Sequence, residues 1–259
     1  MQVLLSVMED GDPLLYIDKL NIRSDALIIN QCDREDDRSE ETGGRRIRIL
    51  ERRERGLSRS RNLALSNAWD DICIFCDNDI RYEDDASDRI ERAFRDHPDA
   101  SVICFFIERD ERKRPVKDRE GIMSKKDMMR IFSPEIAVRR SKLGELLFDT
   151  SFGAGARYPM GEENIFLFEA KRRGLRVIYV PEKIGTTLPG ESSWFKGYDR
   201  EFFKSRGAGY EAMDGRIWYP LAWQFIVRKR KLYSGSISMR EAYRAMKEGR
   251  SEYKDTGDR

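Results

Sequence analysis

A pair of aspartates offers the clearest chemistry in this 259-residue chain. Asp77 and Asp79 flank Asn78 directly after the apolar run at residues 72–76. Two carboxylates one residue apart on a turn can approach one Mg²⁺ or Mn²⁺, which keeps its other positions for water and phosphate oxygens. Such a cation would neutralise a departing diphosphate. The structural alternative is that these acids only cap the turn and the helix after it.

A second acidic pair, Glu162-Glu163, follows Gly161 at the predicted start of a helix. A helix N-terminus stabilises negative charge, so an ionised carboxylate is available there to accept a proton. Acids in the first turn are also a routine structural preference. The pair therefore indicates catalysis only in combination with the two aspartates.

The third motif, GLSRSRN at residues 56–62, places a turn glycine before two arginines at the start of a helix. Backbone amides there, together with Arg59 or Arg61, can bind a phosphate or a nucleoside. Ser58 is the predicted N-cap of this helix. One helical face carries Leu57, Arg61, Ala64, Leu65 and Ala68.

Apolar runs alternate with helical patterns and predict an α/β fold whose strands are mostly parallel. Strands are expected at residues 3–8, 26–30, 47–50, 72–76, 102–107, 135–138 and 175–180, the last closed by Pro181. Helices are expected at residues 13–20, 58–68, 85–96 and 162–173. Open parallel sheets bind ligands at the carboxyl ends of their strands, so Asp77 and Asp79 are expected where a substrate lies.

Charged stretches interrupt this alternation. Residues 33–46 are expected to form a solvated loop, and residues 108–126 a mobile surface excursion. The polar tail beyond Arg240 is expected to hold at most one short helix before a disordered end.

Composition excludes several classes of function. Lys and Arg number 49 against 47 Asp and Glu, so the net charge of +2 gives no argument for nucleic acid. Cys73 and Cys76 have CxxC spacing, but they lie in an apolar run without a second pair, which favours core packing over zinc. No stretch is apolar enough to span a membrane or to act as a signal peptide, so a cytoplasmic protein is expected.

The ordered set GLSRSRN, CDNDI and FGAGARYPMGEENIFLFEA resembles inverting glycosyltransferases of family 2, and bacterial capsular or exopolysaccharide members are especially similar. The resemblance spans about residues 1–205 and implies a GT-A fold, with residues 206–259 as a helical C-terminal extension. It implies transfer of a sugar from a nucleotide sugar to a hydroxyl of a saccharide or lipid-linked saccharide, with inversion, in bacterial surface polysaccharide synthesis.

The resemblance also implies roles for particular residues. Asp77 and Asp79 match the metal-binding D-x-D motif of the family, with Mg²⁺ or Mn²⁺ as the cation. The nucleotide donor is expected to be a UDP-sugar, with a GDP-sugar as the alternative. The expected donor-binding set is Asp33, Arg59, Arg61, Asn62, Asp77, Asn78 and Asp79.

The catalytic base is expected in the Glu162-Glu163 pair. This pair matches the family's acidic pair, usually Glu-Asp, whose second member deprotonates the acceptor hydroxyl. That correspondence favours Glu163. The longer Glu in place of Asp keeps the choice between Glu162 and Glu163 open.

The C-terminal part carries aromatic residues at 218–225 and a basic cluster at residues 228–231. This composition suits peripheral binding to the cytoplasmic face of a membrane, where a lipid-linked acceptor would lie. A helix that packs on the domain, or on a second copy in a homo-oligomer, is the equal alternative. Trp194, in the segment ESSWFK, is expected near the acceptor or diphosphate by resemblance, although core packing is the favoured interpretation.

Two rival functions share part of this pattern. A Mg-dependent phosphatase with an aspartyl nucleophile also places D-x-D after an apolar strand. A non-catalytic nucleotide-sugar-binding module is the other class, but a degenerate member should have lost one of the acidic motifs. Both motifs are intact, which favours the transferase.

Overall fold

The computed structural model describes residues 1–189 and 197–256, and within them ten strands form one sheet. The strands are β1 (Gln2–Val7), β2 (Asp25–Gln31), β3 (Asp36–Thr42), β4 (Arg45–Arg52), β5 (Ile72–Asp77), β6 (Ile80–Tyr82), β7 (Val102–Glu108), β8 (Gly121–Ile122), β9 (Ile136–Arg139) and β10 (Val177–Thr187). The helices are α1 (Leu15–Lys19), α2 (Leu57–Asn67), α3 (Ala86–Asp96), α4 (Lys125–Met128), α5 (Glu162–Arg172), α6 (Arg200–Asp214), α7 (Trp218–Arg228), α8 (Arg230–Tyr233) and α9 (Met239–Asp255). Single 3₁₀ turns cover Ser133–Glu135, Arg140–Lys142 and Gly215–Ile217.

The sheet is mixed, with the order β3-β4-β2-β1-β5-β9-β7-β10-β6. Strands β4, β2, β1 and β5 are parallel to one another, and β7 is parallel to β10. Strand β9 lies between β5 and β7 and is antiparallel to both. Strands β5 and β7 therefore run in the same direction, and their carboxyl ends meet at one edge of the sheet.

Both faces of the sheet are covered by apolar side chains. In β1, Leu4 belongs to the core on one face, whereas Leu5 belongs to the core on the other. Continuous apolar runs rather than alternation are what a sheet buried on both faces requires. The four cysteines are free and buried. Cys73 lies in the core on one face of the sheet and Cys76 in the core on the other, in agreement with the predicted core packing.

The predicted solvated loop at residues 33–46 is wrong, because half of it is the edge strand β3. This strand pairs antiparallel with β4, and Arg48 Nη2 lies 2.6 Å from Asp37 Oδ2 across the pair. An edge strand tolerates charge on both faces, since neither face needs an apolar partner. The charged composition of this segment therefore did not indicate a strand.

The predicted end of the last core strand at Pro181 is also wrong, because β10 continues to Thr187. Its register with β7 shifts between Tyr179 and Lys183, next to the proline. A bulge accommodates a residue that has no backbone N–H to donate, so the strand resumes beyond it.

The polar tail forms a helix of 17 residues, α9, rather than a short one. It crosses α6 at two glycines: a Cβ on Gly207 would lie 2.0 Å from the Met246 carbonyl oxygen, and one on Gly249 would lie 1.9 Å from that of Lys204. The buried face of α9 consists mainly of small residues. The sequence of the tail is therefore polar on average, and it did not indicate a long helix. Helix α6 runs through residue 205, and a domain boundary there stays a prediction.

No helix in the described parts of the chain combines the length and hydropathy needed to cross a bilayer. The predicted acceptor-side segment ESSWFK, with Trp194, lies outside the described residues.

Candidate active site

Arg61 joins the two acidic motifs in the interior of the protein. Its side chain is 1% exposed; Nη2 lies 2.8 Å from Asp77 Oδ1 and Nη1 lies 2.9 Å from Glu162 Oε1. The guanidinium also lies 5.5 Å from the centre of the Phe148 ring. Arginine stays charged when it is buried, and burial of that charge is tolerated only where carboxylates compensate it. Asp77 and Glu162, 85 residues apart in the chain, are therefore held together.

The start of α2 packs directly against the glycine-bearing loop at residues 152–161. Ser58 Oγ donates a 2.6 Å hydrogen bond to the Phe152 carbonyl, and Leu57 N donates to Ala154 O at 2.9 Å. A Cβ on Gly153, where φ is +104°, would lie 3.3 Å from the Glu162 carboxyl carbon. Glycine is therefore needed for this approach. Ser58 was predicted as the N-cap, but Gly56 holds that position and Ser58 anchors the loop instead.

The turn after β5 presents Asp77, Asn78 and Asp79 at the carboxyl edge of the sheet. Asp79 is exposed as a residue, yet the surroundings of its carboxyl group raise its pKa, through desolvation first and the charge of Asp77 second. The Asp79 carbonyl accepts a hydrogen bond from Leu188 N at 2.6 Å, which fixes the turn to the end of β10. The aspartates lie where the sequence places them.

A divalent cation fits this turn. Two carboxylates repel each other there, and the single guanidinium of Arg61 is shared with Glu162, which leaves negative charge uncompensated. Among the described residues no cluster of three or more His, Cys, Asp or Glu side chains is arranged to hold a metal. One or two carboxylates with phosphate oxygens and water are the usual environment of Mg²⁺, so the aspartates suffice if a diphosphate completes the shell.

The two glutamates at the start of α5 differ in their surroundings. Glu162 is 6% exposed and its carboxylate is ion-paired with Arg61. Glu163 keeps partial exposure, and no cation lies within ion-pair distance of it in the described chain. Desolvation of its carboxyl group, and then the neighbouring charge of Glu162, raise the pKa of Glu163. Of the two carboxyl groups, that of Glu163 is therefore the one without an ion pair among the described residues.

The remaining residues of the predicted donor-binding set contact other parts of the protein. Asp33 is exposed and pairs with Arg55 at 2.6 Å, and Arg59 pairs with Glu54 at 2.8 Å on the surface. Asn62 donates from Nδ2 to Phe148 O at 2.9 Å and accepts from Phe148 N at 2.8 Å. Its amide therefore braces the chain beneath Arg61.

An open cavity of about 820 Å³ lies between the loop after β1 and the β3–β4 hairpin. Its lining includes Asp10, Arg34 and Glu51. Glu51 is buried and accepts from Arg34 Nη2 at 2.8 Å and from Asn30 Nδ2 at 3.1 Å. Sequence analysis missed this lining, because its residues come from segments interpreted as plain loop and strand.

The linking role of Arg61 was also missed, although the sequence contains a signal for it. Arg61 occupies the apolar face of its helix together with Ala64 and Leu65. A charged residue at a core-facing position requires a buried counter-ion. That requirement points to the acidic motifs as partners.

Residues 30–163 match the sequence profile described as Glycosyl transferase family 2. This match covers more than half of the chain. The chain belongs to glycosyl transferase family 2. No curated protein matches its sequence significantly. As a glycosyltransferase, it is not the aspartyl phosphatase that the D-x-D motif also allowed.

Solved structures similar to this glycosyltransferase have the same GT-A fold. S. aureus TarS 1-349 in complex with UDP-GlcNAc superposes with a TM-score of 0.60 at 13% identity, over 82% of this chain and 66% of that one, just under two thirds. TarS 1-349 in complex with UDP gives 0.61 at 12% identity, over 98% and 88%. The mannosyltransferase PcManGT from Pyrobaculum calidifontis, in complex with GDP-Man and Mn²⁺, gives 0.54 at 13% identity, over 99% and 75%. These likenesses confirm the predicted fold.

Proposed function

We propose that this glycosyltransferase moves a sugar from a nucleoside diphosphate sugar to a hydroxyl acceptor, with inversion and with a divalent cation. The observation that carries the proposal is the bridge from Asp77 through Arg61 to Glu162. It links the predicted cation-binding turn to the acidic pair that contains the predicted base, and this supports a shared site at the carboxyl edge of the sheet.

Asp77 and Asp79 would hold the cation, which when bound neutralises the leaving diphosphate. The uncompensated charge at their turn supports this assignment. Structurally similar proteins bind UDP-GlcNAc, or GDP-Man with Mn²⁺, and this supports a nucleotide-sugar donor and a Mg²⁺ or Mn²⁺ ion. A UDP-sugar is the expected donor and a GDP-sugar the alternative.

Glu163 would act as the general base. It removes the proton from the acceptor hydroxyl as that oxygen attacks the anomeric carbon, and the diphosphate leaves from the opposite face. One displacement inverts the anomeric centre without a covalent intermediate. Glu162, locked to Arg61, would instead position the start of α5.

The experiment that tests this function is a thermal-shift panel of UDP and GDP with and without Mn²⁺. We expect one nucleotide to stabilise the protein only when the metal is present. Asp79→Ala should abolish the shift. Asp118→Ala, which removes an exposed carboxylate outside the D-x-D turn, is the matched control and should retain it. A nucleotide shift that survives Asp79→Ala would contradict the assignment.

The acceptor would be a saccharide or lipid-linked saccharide of a bacterial surface polysaccharide, met at the cytoplasmic face of the membrane. Tyr219, Trp223 and Val227 follow one another at helical spacing along α7 and are 50%, 50% and 56% exposed. Residues 228–231 are all basic and exposed, and none forms an ion pair with an acidic residue in the described chain. An apolar stripe that ends in unpaired bases suits an anionic bilayer surface.

The start of α5, which carries the proposed base, packs against the end of α6, the helix that precedes α7. A Cβ on Gly161 would lie 3.8 Å from Met213 Cε in the last turn of α6, and α7 begins at Trp218. Co-sedimentation with phosphatidylglycerol vesicles, but not with phosphatidylcholine vesicles, should be lost when residues 228–231 are replaced by Gln. Unchanged sedimentation would contradict membrane binding, and a concentration-dependent dimer lost on Trp223→Ser would assign the stripe to a second copy.

A further inference from the structure

Arg109 lies just beyond the carboxyl end of β7, at the edge of the sheet that carries the proposed active site. Strands β5 and β7 end at the same edge, since both are antiparallel to β9 between them. A tight turn, closed by hydrogen bonds between the backbones of Arg109 and Arg112 at 2.9 and 3.1 Å, fixes its position. It belongs to the charged segment that the sequence indicated only as a surface excursion.

A short series of contacts connects Arg109 to the proposed base. Its guanidinium carbon lies 4.4 Å from the centre of the Phe132 ring. The preceding residue, Ile131, accepts a 3.0 Å hydrogen bond from Asn164 Nδ2, and Asn164 follows Glu163 in α5. Arg109 and Glu163 are also close enough for their charges to interact.

Arg109 makes no ion pair with a described residue, although the charges of Glu135 and Glu111 act on it, as does that of Glu163. The buried carboxylate nearby, Glu135, is occupied by Arg112 and by the backbone amides of Ile107 and Phe132. Arg109 Nε is buried and makes no hydrogen bond with any described residue. A buried N–H without an acceptor lowers the stability of the folded protein. Stacking on the Phe132 ring uses the face of the guanidinium, so the N–H groups at its edge can still bind an anion.

We propose that Arg109 binds an anionic group, a phosphate or a carboxylate, on the acceptor whose hydroxyl faces Glu163. A guanidinium fork matches the paired oxygens of either group. The donor diphosphate is the other source of such an anion, but we propose that it binds through the cation at Asp77 and Asp79. This inference rests on the proposed function and adds that the acceptor is acidic.

The test uses inorganic phosphate as the probe, with UDP or GDP, whichever the thermal-shift panel selects, and Mn²⁺ at saturation so that the diphosphate site is filled. Phosphate affinity is measured by titration calorimetry on the full chain. We expect wild-type protein to bind phosphate and Arg109→Gln to bind it at least about tenfold more weakly. Arg114→Gln removes the same charge from an exposed position in the same segment and should bind as wild type does.

Four outcomes would overturn the inference. Wild-type protein does not bind phosphate, Arg109→Gln binds it as well as Arg114→Gln does, or both variants lose it equally. In the fourth, saturating nucleotide and Mn²⁺ displace the phosphate, which would assign the anion to the donor site. Arg109→Lys keeps the charge without the fork and should recover part of the affinity, which separates binding from a folding defect. Nucleotide stabilisation with Mn²⁺ reports independently on the proposed function.

Discussion

Replacing Arg61 with Met should destabilise the protein far more than the loss of a surface ion pair does. The change leaves Glu162, whose side chain is 8% exposed, and Asp77, which is 30% exposed, without their shared cation. Removing one partner of a buried ion pair costs about 3–5 kcal/mol. Because Asp77 can regain water, we expect the lower end, ~3 kcal/mol, or a fall in Tm of roughly 6–12 °C.

Urea unfolding of three variants measures this effect and its cause. The double variant Arg61→Met/Glu162→Gln lacks the buried carboxylate that Arg61→Met leaves without a counter-ion. It should therefore be more stable than Arg61→Met alone. Arg59→Met breaks an exposed pair with Glu54 and should cost no more than ~1 kcal/mol. Two results would refute this explanation. Arg61→Met could be as stable as Arg59→Met, or the double variant could be less stable than Arg61→Met.

Three further predictions follow from single side chains. The raised pKa of Glu163 means that kcat/KM should increase with pH through that pKa, because the base acts only when ionised; a flat profile over ~pH 5 to 8 would contradict this. Gly249→Ala places a Cβ against the Lys204 carbonyl and should cost at least ~1–3 kcal/mol in urea unfolding, unlike Gly235→Ala, where space is open. Asn62→Ala should cost ~1–3 kcal/mol in stability without a matching loss of nucleoside diphosphate affinity, and the reverse result would assign Asn62 to the donor.

The sequence was sufficient to predict the strands at the centre of the sheet. Strands β1, β2, β5 and β7 are covered on both faces, so each is a continuous apolar run that hydropathy alone reveals. The ends of these runs then locate Asp77 and Asp79, since ligand sites of parallel sheets lie at strand carboxyl ends. The convergence of the acidic motifs was expected from their order in the family.

Elements held by charge or by small residues were not predictable in the same way. The edge strand β3 and the helix α9 carry few large apolar side chains, because one pairs through its backbone and the other packs through glycine and alanine. Side-chain partners are settled only by the three-dimensional fold. Asn62, predicted at the donor, braces the backbone of Phe148, and Arg109 belongs to no recognisable motif.

The most direct measurement of the central claim is a crystal structure with Mg²⁺ and the nucleoside diphosphate that stabilises the protein. We expect the cation about 2.1 Å from a carboxylate oxygen of Asp77 or Asp79, with diphosphate oxygens in its shell. The Glu163 carboxyl group should face the diphosphate across the same cleft. A nucleotide bound away from these aspartates, or a Glu163 side chain turned away from it, would contradict the account.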